Sequence, residues 1–319
     1  MKGQQRAAPP PLVAVILGAT ATGKSELAYA LAERLGCEIV SADSRQVYRH
    51  LDIGTAKPPP EARARVPHHL LDLIEPTETY DVARYGQAAR ATMREIIGRG
   101  RLPLVVGGSG FYLRAATGEL RLPMISADPR VRARLKEMAR ALGPAALHQR
   151  LAAVDPESAG RLHPNDLMRV MRALEVYEVT GRPRSSWTIT GGANGEFCFL
   201  KIGLRLPRQV LYERINHRVE EMVSRGWAKE VRGLLEAGYP PDCPGLKTLG
   251  YPEMIGYVRG ELGLEEAVVR IQAQTRQYAK RQLTWFRQEK EVHWLAADRC
   301  HLVESALGLI PRTVGKDAE

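Results

Sequence analysis

The sequence predicts an α/β protein: a P-loop-type parallel sheet core flanked by helices, with an all-helical insertion domain. Three observations carry this. The apolar run Leu12–Leu17 opens into Gly18, four residues, then Gly23-Lys24-Ser25, the phosphate-loop spacing in its strand-then-helix setting. Short Val/Ile/Leu-rich segments then alternate with helical patterns, as parallel strand–helix–strand units do. From Ser126 to Gly181 only helical patterns remain. The expected division is a core over residues 10–123 and 191–319, with the insertion over 124–190.

The run at Leu12 has the length and composition of a buried parallel strand. Behind the loop Leu27, Leu31 and Leu35 recur at helical spacing, and Gly36 stands where that helix would end. Glu38–Ala42 reads as a second strand that delivers Asp43 at its carboxyl end. Asp43–Pro58 is polar, contains Gly54 and runs into three prolines, so it reads as a loop with at most a turn of helix. His68–Ile74 is a third strand candidate. Asp81 can cap a helix running to Gly98 or Gly100, and the strand Leu102–Val106 opens into the loop Gly107–Gly110. Asp128-Pro129, Asp155-Pro156 and Pro164-Asn165-Asp166 are helix starts within the insertion. Strand character returns at Phe197–Leu204, after the Gly-rich turn 191–195. Helices are expected at about 208–225, 228–237, 252–260 and 264–288, before a last strand Val292–Leu295. In such sheets ligands sit beyond the carboxyl ends of the strands, where the phosphate loop, Asp43 and Gly107–Gly110 all fall.

The 319 residues are 44% hydrophobic and 26% charged, an ordinary globular balance with material for a core plus an insertion. The formal net charge of +10 suits a polyanionic partner. Cys37, Cys198, Cys243 and Cys300 lie far apart without a CxxC pair, which argues against a zinc site or disulfide framework and suits a reducing cytoplasm. His68-His69 is adjacent rather than one helical turn apart, so the histidines suggest no metal site. The apolar run after the polar lead is too short for a signal peptide, and no stretch is long enough to span a membrane. A cytoplasmic monomer without membrane contact is the expectation.

In the loop Gly18, Ala19, Thr20, Ala21, Thr22, Gly23, Lys24 and Ser25, backbone N–H groups converge on a phosphate at the helix N-terminus. Lys24 adds a point charge, and Ser25 offers a hydroxyl to Mg²⁺. Asp43 can bind Mg²⁺ through water, orient a nucleophile or accept a proton; it can equally cap the following turn. Ser44, Arg45 and Gln46 supply donors and acceptors suited to a base edge or a phosphate. Arg214 and Arg218, four residues apart, project together off the apolar stripe Leu211, Ile215 and Val219. They suit bidentate capture of phosphate oxygens, or a solvated face balanced by Glu220 and Glu221. Basic clusters recur at Arg130, Arg132, Arg134, Lys136 and Arg140, at Arg169 and Arg172, and at Arg276, Lys280 and Arg287 beside Trp285 and Phe286. Together they look like an electrostatic footprint for nucleic acid.

Several ordered stretches resemble the bacterial tRNA dimethylallyltransferases, or tRNA isopentenyltransferases. They include GATATGKSELA (18–28), SADSRQVYRHLDIGTAKP (41–58), PHHLLDL (67–73), VVGGSGFYLRA (105–115), ADPRVRARL (127–135) and VDPESAGRLHPNDLMRVMRALEV (154–176). RINHRVEEMVSRG (214–226), KTLGYPEM (247–254) and TRQYAKRQLTWFR (275–287) complete a match that covers nearly the whole chain.

The resemblance implies transfer of a dimethylallyl group from dimethylallyl diphosphate to N6 of the adenosine 3′-adjacent to the anticodon in tRNA, with Mg²⁺ as cofactor. It implies that Asp43 takes the N6 proton and that Thr20 and Arg218 surround the diphosphate. As segments touching the tRNA anticodon stem-loop it points to Asp43, Ser44, Arg45 and Gln46; to Ser109 and Arg132; and to Met168, Arg169, Val170, Met171 and Arg172. It adds Lys247, Thr248, Leu249, Gly250, Tyr251 and Pro252, then Lys280, Arg281, Gln282, Leu283, Thr284, Trp285, Phe286 and Arg287. Ala19 and Thr22 stand where many relatives have Pro and Ser, and Pro252 where Arg is common. A nucleoside or nucleotide kinase with an Arg-rich lid is the rival enzyme, and an NTP-driven RNA-binding switch the rival outside metabolism. No NKxD-type guanine motif supports the switch.

Overall fold

A computed structural model describes residues 9–120, 125, 128–187 and 195–311. It contains six strands in one sheet: β1 (Leu12–Gly18), β2 (Glu38–Ser41), β3 (His68–His69), β4 (Pro103–Gly107), β5 (Cys198–Arg205) and β6 (Val292–Ala296). All neighbouring pairs are parallel, in the order β3-β2-β4-β1-β5-β6. The helices are α1 (Lys24–Leu35), α2 (Pro60–Arg65), α3 (Val82–Gly98), α4 (Gly110–Ala116), α5 (Pro129–Val154), α6 (Pro156–Arg161), α7 (Leu167–Thr180), α8 (Arg208–Ser224), α9 (Trp227–Glu236), α10 (Tyr251–Val258), α11 (Leu264–Phe286) and α12 (Leu302–Leu309).

The alternation of β1 shows why this strand is central. Val13, Val15 and Leu17 pack into one apolar cluster, while Ala14 and Ile16 pack into another on the opposite face. The first cluster takes Tyr85, Met93, Trp227, Tyr251, Ile271 and Phe286 from the helices, and the second takes Leu27, Leu31 and Ala306. Both faces of the sheet are therefore covered, as an all-parallel sheet requires.

The chain forms two compact units, residues 1–118 with 192–319, and residues 119–191. The second has its own small core, including Leu135, Leu147, Leu151, Val170 and Leu174. Its helices begin where carboxylates cap them. Asp128 accepts from the Arg130 and Val131 N–H groups, Asp155 from Ser158, and Asp166 from Arg169. Gly143, at φ 81°, and Pro144 break α5 into two segments. The expected boundaries at 123/124 and 190/191, and most of the Gly-rich turn 191–195, lie outside the described residues.

Three local readings change. The candidate strand His68–Ile74 keeps only His68–His69, because Leu70 and Asp72 take positive φ (64° and 54°) and Asp72 turns to Lys57 and Arg63. Gly110, read as loop, is the first residue of α4. Helices α2 and α12 carry little local signal: α2 has no buried residues, and α12 has no side-chain cap.

The carboxyl ends of β2 and β4 touch through backbone alone. A Cβ at Gly107 would stand 2.1 Å from the Ala42 carbonyl oxygen, so only glycine fits. Gly107→Ala is expected to lower the unfolding free energy in urea by about 3 kcal/mol, as overpacking against rigid backbone does. An unchanged midpoint would contradict this contact.

Candidate active site

The phosphate loop lies between the end of β1 and the start of α1. Ala21 and Gly23 adopt left-handed conformations (φ 61° and 87°) that curl the backbone toward the N-terminus of α1. The Thr22 hydroxyl and the Lys24 ammonium both donate to the Ala19 carbonyl, at 2.8 and 2.7 Å, bracing the curl from within. Ser25 is exposed at the mouth. Burial first, and then the nearby Arg218 guanidinium, push the Lys24 ammonium from its ordinary 10.5 down to about 8.

Around this loop lies a cavity of about 740 Å³ lined by Lys24, Ser25, Asp43, Arg214, Arg218 and Tyr278, among others. Arg214 and Arg218 thus reach the phosphate loop together, and Arg218 lies 3.5 Å from the Thr20 hydroxyl. Spacing on the helix left this open; packing of α8 decides it. A second cavity of about 680 Å³ is lined by Arg45, Trp227, Lys247, Leu249, Ile271 and Arg281. Thr20, Asp43, Arg218, Met222 and Tyr278 line both. The half-buried Asp43 therefore stands where the space around the phosphate loop meets a second, slightly smaller one walled in part by Trp227.

The loop that carries Asp43 is held tightly. Asp43 Oδ1 accepts from the Arg45 N–H at 2.8 Å, and the Ser44 N–H donates to Ser109 Oγ at 3.2 Å. Gln46 accepts from the Ser41 hydroxyl and donates to the Thr55 and Ala56 carbonyls. Lys57, with a fully buried side chain, pairs with Asp52 and Asp72 at 2.6 Å each. Glu230 of α9 accepts from the Asp52 and Ile53 N–H groups, at 2.8 and 2.7 Å, and from the Tyr251 hydroxyl at 2.7 Å. Residue type and spacing gave no sign of the Glu230 and Tyr278 contributions, since their partners are distant in sequence.

Segment by segment, the residues expected to touch a polyanion divide. Arg45, Arg132, Met168, Arg169, Lys247, Pro252, Lys280, Arg281, Thr284 and Arg287 are exposed. Ser44, Gln46, Ser109, Arg172, Leu249, Leu283 and Trp285 are half-buried. Val170, Met171, Thr248, Gly250, Tyr251, Gln282 and Phe286 are buried, although Thr248 and Gln282 still line the cavities. Gln282 spans the site from within: Oε1 accepts from the Thr20 N–H and Nε2 donates to the Gly108 carbonyl, both at 2.9 Å. In the helical unit Arg132 and Arg172 converge on the buried Glu175 carboxylate, which also accepts from the Asp128 N–H. Among the described residues no cluster of three or more His, Cys, Asp or Glu side chains could hold a metal ion, and no helix is long and apolar enough to cross a membrane.

A phosphate loop, paired arginines and a carboxylate at the junction of two cavities give this α/β chain the features of an enzyme site. The IPP transferase family model matches residues 46–289, and the isopentenyl transferase model residues 11–66. The tRNA dimethylallyltransferase 2 of Geotalea uraniireducens is 50% identical over 282 residues, 88% of this chain and 91% of the relative. The tRNA dimethylallyltransferase of Geobacter sulfurreducens is 49% identical, covering 88% and 90%. The crystal structure of the tRNA isopentenylpyrophosphate transferase of Bacillus halodurans superposes with TM-score 0.67 at 40% identity, covering 94% of this chain and 96% of that one. A eukaryotic dimethylallyltransferase acting on tRNA matches with TM-score 0.79 at 28% identity, over 94% and 78%. The chain belongs to the tRNA dimethylallyltransferase (IPP transferase) family.

The depressed Lys24 value has a measurable consequence. A bound diphosphate favours the ammonium form, so binding near pH 8 takes up a proton, whereas at pH 6 Lys24 is already charged and contributes none. Titration calorimetry in buffers of different ionisation enthalpy should show this uptake, and Lys24→Gln should remove it. In the free protein the native state binds fewer protons than the unfolded chain between pH 8 and 10.5, so the penalty of burying this charge is relieved as pH rises through that window.

Proposed function

We propose that this chain transfers a dimethylallyl group from dimethylallyl diphosphate to N6 of the adenosine 3′-adjacent to the anticodon in tRNA. The observation that carries the reading is the meeting of the two cavities at Thr20, Asp43 and Arg218. One cavity has the cationic and backbone donors that a diphosphate needs. The other has room, aromatic surface and exposed cations suited to a nucleotide turned out of its stack. Against the kinase reading, the named relatives are prenyl transferases.

In the reaction the bond between allylic C1 and the diphosphate oxygen breaks, its electron pair leaving with the oxygen. The N6 lone pair forms the new C1–N bond, and the N6 proton passes to the Asp43 carboxylate. Lys24, Arg214, Arg218 and the loop N–H groups stabilise the negative charge that grows on the leaving group. Thr20, whose N–H is taken by Gln282, presents its hydroxyl beside Arg218. With no protein cluster suited to a metal among the described residues, the donor set fits an ion carried by the substrate: the Ser25 hydroxyl would hold Mg²⁺ together with diphosphate oxygens. Bound there, it would supply further charge neutralisation for the leaving diphosphate.

We assign the helical insertion, with Arg130, Arg132, Arg134, Lys136, Arg140 and Arg169, to gripping the tRNA anticodon stem-loop. The exposed cations of α11 serve the same RNA. We place the enzyme in the cytoplasm as a monomer.

Incubation with unmodified tRNA and labelled dimethylallyl diphosphate should label the tRNA, whereas ATP and nucleosides should give no phosphoryl transfer; the reverse result would refute the reading. Asp43→Ala should cut turnover by about 10²–10⁴-fold, the range for a lost general base, while tRNA binding persists. Near-normal turnover would remove Asp43 from the role.

A further inference from the structure

Five residues line both cavities, and the proposed function uses three of them: Thr20 and Arg218 on the diphosphate, and Asp43 on the acceptor amine. The transferred carbon must lie between those groups. The remaining two, Met222 and Tyr278, therefore line the junction where the bond exchange would take place. Neither offers a charge to that space. Burial, and then the Asp43 carboxylate, push the Tyr278 phenol up to about 12, so it stays neutral at working pH, and the Ser109 side chain hydrogen-bonds it. It cannot act as the base in place of Asp43. What it brings is a π-face: one cation, the Arg281 guanidinium, already lies 5.8 Å from the ring centroid, at the outer limit of a cation–π contact.

An allylic carbon losing diphosphate becomes electron-poor before the amine reaches it, and positive charge spreads over C1 and C3. Water there would intercept it. A ring quadrupole stabilises such charge without offering a lone pair that could capture it, and a thioether beside it adds polarisable surface. Resting on the prenyl-transfer reading, we propose that Tyr278 is a further catalytic residue, whose ring stabilises the developing allylic cation at the junction of the two cavities, where Met222 adds apolar lining that excludes water. The bonds exchanged are those already given: C1–O breaks with its electron pair on the diphosphate, C1–N forms, and the proton goes to Asp43. Tyr278 itself gains and loses nothing.

The test holds shape constant and varies the ring's electron density. Position 278 is replaced by phenylalanine, 4-fluorophenylalanine and 3,4,5-trifluorophenylalanine in the full chain, and single-turnover transfer of labelled dimethylallyl to tRNA is measured. The rate should fall stepwise with ring electron density, by about tenfold across the series, while KM for tRNA and the affinity for inorganic diphosphate stay level. Tyr278→Leu should fall at least as far as the trifluoro variant. A structural role for the ring would give a flat series, because the rings differ little in size. A flat series with an active wild-type enzyme would overturn this assignment alone; wild-type enzyme that leaves the tRNA unlabelled would overturn the prenyl-transfer reading and this inference with it.

Discussion

The site depends on one buried amide. Gln282 uses its oxygen on the Thr20 N–H of the phosphate loop and its nitrogen on the Gly108 carbonyl beyond β4. A helix near the end of the chain is thereby bolted to the carboxyl ends of two central strands near its beginning. A Cβ at Gly108 would lie 2.4 Å from the Gln282 nitrogen, so the close approach needs glycine. A buried amide with both ends satisfied tolerates little displacement, since moving it would strand polar groups away from water. What α11 contributes to the cavities, Tyr278 and Arg281 included, is held by this clamp together with the packing of Ile271, Ala279 and Phe286.

The second constraint is the rigidity of the Asp43 loop. The stretch between β2 and α2, residues 42–59 without helix or strand, would ordinarily be mobile, yet here Lys57 sits buried between two aspartates and Glu230, on α9, collects the loop's backbone N–H groups. The sheet positions the loop's first residues, and side chains from elsewhere hold the remainder. The role proposed for Asp43 calls for such fixation, because proton transfer depends on holding a carboxylate within hydrogen-bond reach of the group that loses the proton. The insertion follows the same logic on a smaller scale: Glu175, buried, gathers Arg132 and Arg172 so that their charges stay organised near the surface.

Much of the architecture was legible in sequence because its signals are local. The phosphate-loop spacing, the both-faces-buried strand at Leu12, and the Asp caps at 128, 155 and 166 each act within a few residues and appear where the pattern places them. The strand expected to run to Ile74 did not survive, since Asp72 answers a buried lysine fifteen residues away. Runs assigned whole to a partner surface split by burial: on α11, Lys280 and Arg281 face out while Gln282 and Phe286 face in.

By itself, then, the sequence determined the sheet class, the phosphate loop, the helical insertion and the position of Asp43 at a strand end, all of which follow from periodicity and short-range backbone chemistry. Tertiary structure alone decided that Arg214 and Arg218 turn toward the loop, that Gln282 is a clamp rather than a surface contact, and that Tyr278 stands where two cavities meet. Those outcomes join residues up to 262 positions apart. No local pattern encodes such contacts, because they arise only when both faces of the sheet must be covered at once.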